Sequence, residues 1–197
     1  MNCSGKHAAM LAASVGNGWD VESYLAAAHP LQQLVAETVA EATGEEITAT
    51  AVDGCGAPLF GTTVLGLARA ARGMVLAPDG SDARAVADAM RAAPEFVGGT
   101  GHLNTEVMRA LPGVLCKGGA EGVLVAAAAT GQAVAMKVVD GSPRATTVLA
   151  LAALAFLGVD TAPAAAFTEV PVLGGGRPVG RLRLGADLQA VAGHGAA

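Results

Sequence analysis

Lysine is scarce in this 197-residue chain, which makes each of its three lysines, Lys6, Lys117 and Lys137, informative. Lys137 lies in the alternating run Ala135-Met136-Lys137-Val138-Val139-Asp140-Gly141, where the solvated face of a strand accounts for it. Lys6 and Lys117 each neighbour a glycine and have a cysteine within three residues, and neither sits on an obvious solvent-facing stripe. Partial burial lowers a lysine's pKa by desolvation and frees the amine to act as a general base or a ligand, and that is the expectation for both. Cys3, Lys6 and His7 fall within one turn at the start of a helix, whose positive end favours an anionic partner such as a thiolate. Cys55 occupies a second glycine-flanked turn beside Asp53. Two thiolates, a nitrogen donor and an open position suit zinc, although spacing along the chain does not by itself bring the two turns together. Cys116, inside an apolar run, reads as a small buried hydrophobe.

Serine chemistry has fewer candidates. None of the five serines, Ser4, Ser14, Ser23, Ser81 and Ser142, heads an S-x-x-K pair, and no G-x-S-x-G elbow occurs. Ser4 and Lys6 are two residues apart, which on a helix sends them to different faces. A Ser/His/Asp set built on His29, His102 or His194 depends on distances that spacing does not supply, and His194 reads as part of a frayed tail.

The elements that must position these groups follow from capping residues and periodicity. Ser4 precedes a helix-forming run and reads as its cap, and Gly16-Asn17-Gly18 ends that helix. After His29-Pro30, the residues Leu31, Leu34, Val35, Thr38 and Val39 recur at helical spacing up to Gly44, with Gln32, Glu37 and Glu41 on the outer face. Ile47 to Val52 reads as a short strand running into the turn Asp53 to Pro58, followed by helices from Thr63 to Arg72 and from the Ser81 cap through Ala93. A loop at Gly98-Gly99-Thr100-Gly101 precedes a short helix from Asn104 to Ala110, and Lys117 falls in a glycine-rich turn. Val123 to Ala129 and Ala133 to Val139, joined by Thr130-Gly131-Gln132, give a hairpin signal. A helix from Arg144 to Leu157 follows, with a last strand at Leu182 to Leu184. Helices grouped around a late antiparallel hairpin argue for an α/β (α+β) fold, a sandwich with helices outside.

Composition bounds the function. A net charge of −5 leaves no electrostatic footprint for nucleic acid or an anionic membrane surface. With 52% hydrophobic and 15% charged residues the chain is not globally disordered. Its aromatics are four Phe, one Trp and one Tyr, so Ala, Val and Leu must fill the core. The length argues for a single domain spanning 1–197. Three cysteines without a C-x-x-C are no disulfide framework, so a reducing, cytoplasmic setting is expected. The N-terminus carries no secretory pattern, and the longest apolar run, Val148 to Val159, is shorter than the roughly 18–20 residues of a membrane span and reads as a buried helix.

An ordered set of motifs then reorganises these observations. Asn2-Cys3-Ser4-Gly5-Lys6-His7-Ala8-Ala9-Met10-Leu11, Tyr24-Leu25, His29-Pro30-Leu31-Gln32 and Asp53-Gly54-Cys55-Gly56-Ala57-Pro58 resemble the asparaginase II family of rhizobial-type L-asparaginases. The likeness continues through Pro94-Glu95-Phe96-Val97, Met108-Arg109, Gly113, Lys117-Gly118-Gly119-Ala120-Glu121-Gly122 and Lys137 to Gly141, nearly the whole chain. The resemblance implies a serine β-lactamase-like sandwich and hydrolysis of L-asparagine to L-aspartate and ammonia by serine–lysine pairs. It also implies a zinc ion near the substrate, bound through positions matching Cys3, Lys6 and Cys55, with His7 and Asp53 facing the substrate. Lys117 matches a catalytic lysine, in a Lys-Gly-Gly setting similar to the K-T-G element of β-lactamases. Relatives carry their nucleophilic serines and S-x-x-K pair in a segment preceding the Cys-Ser-Gly-Lys-His motif. The expectation is therefore the C-terminal portion of such a catalytic domain, incomplete at its N-terminus, working as a homodimer or with a partner that supplies the segment. The alternative is an inactive zinc-binding or dimerisation module. Exposed apolar surface is expected where the segment would pack.

Overall fold

The computed structural model describes residues 3–189, so Asn2 and His194 fall outside the described residues. The fold is mixed α+β. Its elements run α1 (Ser4–Gly16), α2 (Pro30–Thr43), β1 (Thr50–Val52), β2 (Pro58–Phe60), α3 (Val64–Leu76), α4 (Asp82–Ala92), α5 (Glu95–Gly98) and α6 (Leu103–Ala110). There follow β3 (Val114–Gly118), β4 (Val123–Ala128), β5 (Ala133–Lys137), α7 (Thr146–Phe156), β6 (Val170–Gly174) and β7 (Arg177–Leu182). Within the span 1–197, contacts cluster into two compact units, and the division falls inside α3, between Gly66 and Leu67.

In the first unit, α1 begins at Ser4 itself, and Cys3 is the residue that flanks the first turn. Ser4 is thus the first helical residue and not the cap, and no side chain bonds the free N–H groups there. Helix α2 starts as its sequence demands, with Pro30 in the first turn, and ends at Gly44 in a left-handed conformation. Its buried face, however, is turned relative to the apolar pattern. Gln32 is buried and Leu34 is exposed, because the Gln32 amide donates to the Tyr24 carbonyl at 2.8 Å and lies 3.3 Å from the Met10 sulfur. A satisfied buried amide outweighs one more apolar contact, since leaving it unpaired inside would cost about 1–3 kcal/mol. β1 is shorter than the run from Ile47 and pairs antiparallel with β2, a strand that begins at Pro58, the last residue of the expected turn. A small apolar cluster of Met10, Leu31 and Ala57 ties α1, α2 and the β1–β2 turn together.

The second unit is a sandwich. Its antiparallel sheet, ordered β3-β4-β5, alternates residues between two buried faces. Cys116, Leu124 and Ala126 point to one face, where they pack with Met108, Leu111, Leu151 and Leu154. Leu115 and Ala127 point to the other, against Ala71, Val75 and Ala87 of α3 and α4. Each fully buried Leu or Met contributes roughly 1.5–3 kcal/mol of hydrophobic stabilisation. α7 is apolar almost all round and is buried through Leu154, while Phe156 and Leu157 at its end are exposed. β6 and β7 form a hairpin of their own through Gly175-Gly176, both at positive φ, and of the strand expected at Leu182 to Leu184 only Leu182 is in a strand, as the last residue of β7. Large exposed apolar side chains include Phe96, Val139, Val52 and Val179. No helix among the described residues is long and apolar enough to cross a membrane.

Cys116 is 2% exposed, and that burial pushes its thiol up from 9.0 to about 12, slightly offset by the neighbouring Lys117 cation. The folded chain therefore keeps a proton that the unfolded chain releases above pH 9.0. Its contribution is fully present below that pH and is lost as pH rises towards about 12, at up to about 1.4 kcal/mol per pH unit. Urea unfolding at a series of alkaline pH values should show this slope, and Cys116→Ala should flatten it while costing about 1 kcal/mol at neutral pH.

Candidate functional site

Cys3, Lys6, His7 and Met10 are spaced i, i+3, i+4 and i+7, so they occupy one side of α1. Met10 is the buried end of that stripe, and Ala57, its partner in the apolar cluster, lies two residues beyond Cys55. Packing at Met10 therefore brings the first turn of α1 to the loop between β1 and β2. That loop is folded tightly: Asp53 donates its N–H to the Ala57 carbonyl at 2.9 Å, and Gly56 donates to the Asp53 carbonyl at 2.8 Å. Gly56 has φ +87°, a conformation that glycine adopts without strain.

The result is a cluster of four polar groups. The Lys6 ammonium lies 3.4 Å from the Cys55 sulfur and 3.5 Å from an Asp53 oxygen. The Cys55 thiol donates to that same carboxylate at 3.5 Å. Ligand atoms of Cys3, Asp53 and Cys55 all lie within 4.8 Å of one another, and all three residues are half-buried. Lys6 is exposed. Partial burial alone pulls its pKa down, but the hydrogen bond to Cys55 and the electrostatic attraction of Cys55, Cys3 and Asp53 outweigh that. The net shift is upward from 10.5, opposite to the direction expected from the sequence. Asp53 is held below the usual 3.8 by the Gly54 N–H that it accepts at 2.8 Å, then by Cys55 and by the Lys6 charge.

His7, on the same helix face, turns to a different partner. Its Nδ1 lies 2.7 Å from the Tyr24 hydroxyl, and the two rings meet edge to face. Its Nε2 is buried with no hydrogen-bond partner in the protein. Lys117 belongs to the second unit, next to last on β3 and opposite Val125, on a strand and not in a turn. Its ammonium is exposed and donates to the carbonyl of Gly118, so it is not the desolvated lysine expected.

A model of the L-asparaginase II family matches residues 1–184. The chain belongs to that family. No curated protein matches it. At the level of the L-asparaginase II family the chemistry is amide hydrolysis, by an amidohydrolase.

In this L-asparaginase II chain two histidines left open by the sequence are accounted for by structure. The Nδ1 of His29 accepts from the Leu31 N–H at 3.1 Å and caps α2, and that of His102 accepts from the Asn104 N–H at 3.2 Å and caps α6. The other nitrogen of His29 donates to the Asp20 carbonyl, while the Ser23 hydroxyl donates to the Asp20 carboxylate at 2.5 Å. Ser23, Asp20 and His29 thus share a pocket without forming a proton relay. Sequence reasoning missed Tyr24 as the partner of His7, and no spacing rule links residues seventeen apart across a loop. Tyr24→Phe should cost about 1 kcal/mol in stability by removing the bond to Nδ1, measurable by chemical denaturation. Nitrogen NMR should show a changed His7 tautomer in that variant.

Proposed function

We propose that the chain acts in hydrolysis of L-asparagine to L-aspartate and ammonia by serine–lysine chemistry, with zinc near the substrate. The observation that carries this reading is the convergence of Cys3, Lys6, Asp53 and Cys55 in a chain of the L-asparaginase II family. The donor set fits zinc. Two thiols and a carboxylate lie within 4.8 Å of one another, with an amine 3.4 Å from one thiol, and a tetrahedral ion needs bonds of about 2.0–2.3 Å. Cys3, Lys6 and Cys55 would hold the ion. When bound, it supplies Lewis-acid polarisation beside the substrate.

The remaining roles belong to the chain's own groups. Asp53 offers a carboxylate that stays ionised, suited to the α-ammonium of an amino-acid substrate. The His7 Nε2, lacking a protein partner, is a polar atom for a ligand to satisfy. Lys117 would take the proton of a serine hydroxyl, a role that requires its amine in the neutral form and hence a more enclosed setting than the exposed one it has beside the Gly118 carbonyl. That hydroxyl would attack the amide carbon, ammonia would leave, and water would release L-aspartate.

A second reading, a zinc-binding or dimerising module without turnover, is favoured by one observation. Among the described residues no serine hydroxyl is hydrogen-bonded to Lys117. A homodimer, or a partner chain bearing the serine, would reconcile the two readings.

Ammonia release from L-asparagine, assayed on this chain and on a version extended upstream in its reading frame, decides between them. Under the hydrolase reading Lys117→Ala lowers the rate by roughly 10²-fold or more. If the extended protein is inert, the hydrolase reading fails. Both readings predict stoichiometric zinc in the purified chain and its loss in Cys55→Ala, read by elemental analysis. Zinc affinity should rise with pH, because the ion must displace the proton that Cys55, Cys3 and Asp53 help Lys6 to retain.

A further inference from the structure

We propose that Cys3 and Cys55 form a redox couple, converted by an oxidant of the peroxide class into a disulfide that links the start of α1 to the β1–β2 loop. The two sulfurs lie within 4.8 Å of each other. A disulfide needs about 2.05 Å, so the two sulfurs must draw together by no more than about 2.8 Å. Neither residue is locked in regular structure. Cys3 flanks the first helical turn with φ −100° and ψ 7°, and Cys55 sits within the loop between the two strands. Both are half-buried thiols, reachable by a small oxidant, and the Lys6 ammonium 3.4 Å from the Cys55 sulfur faces the atom that carries negative charge as it attacks.

The reaction balances with the peroxide as the only co-reactant. One thiol attacks a peroxide oxygen, the O–O bond breaks, and a sulfenic acid and one water form. The second thiol attacks that sulfur, the S–O bond breaks, and a second water leaves as the disulfide forms. Two hydrogens and two electrons have passed from the thiols to the peroxide. The third cysteine serves as an internal control, because Cys116 is 2% exposed within β3 and its thiol is pushed up to about 12.

The consequence for activity rests on the metal reading above. Oxidation consumes both soft ligands together and leaves only Lys6 and Asp53, so zinc binding and the disulfide exclude each other. Metal retention would then report the redox state of the surroundings.

The test uses the full reduced chain, stripped of metal, treated with hydrogen peroxide and followed by intact mass, thiol titration in denaturant and peptide mapping. The expected result is a loss of two hydrogens, a fall from three titratable thiols to one, and a linked Cys3–Cys55 peptide with Cys116 unmodified. Sulfinic acid at either cysteine without the linked peptide overturns the proposal. So does a Lys6–Cys55 cross-link, or pairing between chains that outpaces pairing within one. A parallel sample loaded with zinc separates the two readings. Protection by about tenfold or more supports both. Equal rates with and without zinc leave the couple standing and overturn the metal site.

Discussion

The contact among Met10, Leu31 and Ala57 is small, a thioether, an isobutyl group and a methyl, yet the whole polar cluster of the first unit depends on it. It fixes how far α1 is rotated and where the β1–β2 loop meets it. Once Met10 points inward, helical geometry puts Lys6 and Cys3 one and two turns earlier on the same side. Once Ala57 is buried, the tight turn through Gly56 leaves Cys55 and Asp53 facing that side. The buried Gln32 amide adds the loop bearing Tyr24 to the same assembly, and through Tyr24 it reaches His7. Polar groups that attract one another weakly in water are thus held together by apolar atoms that attract nothing in particular.

The second unit solves a different problem. A three-stranded antiparallel sheet covered on both faces must carry apolar residues at successive positions, which is why β3 and β4 read as continuous apolar runs and not as alternating ones. Lys117 marks where that constraint ends. It shares a face with Leu115, one step from the strand's end, where its side chain reaches solvent.

Legibility in the sequence followed interaction range. The bounds of α2 and α4 were readable from Pro30, Gly44 and Ser81, which act within a turn of themselves. The β4–β5 hairpin was readable from Gly131 between two apolar runs. Gln32 was misplaced because periodicity counts it as polar and therefore outward, whereas its partners lie on other elements. β6 was overlooked although Gly175-Gly176 between apolar flanks carries the hairpin signal. For the candidate site, the grouping of Cys3, Lys6 and His7 was visible as one helical turn. That Cys55 meets Lys6 across forty-nine residues was not, since it needs the Met10–Ala57 packing, and the upward pull on Lys6 follows from that meeting.

The shortage of aromatic residues has a geometric result. Ala126, Ala127 and Ala128 on β4, with Ala87 and Ala150 facing them from the helices, place methyl groups where the layers touch. Layer spacing is then set by the smallest side chain that still excludes water, and helices can lie close over a sheet only three strands wide. A core of this kind has almost no slack for enlargement. Its alanines, individually the least distinctive residues of the chain, are the ones for which a larger substitute has nowhere to go.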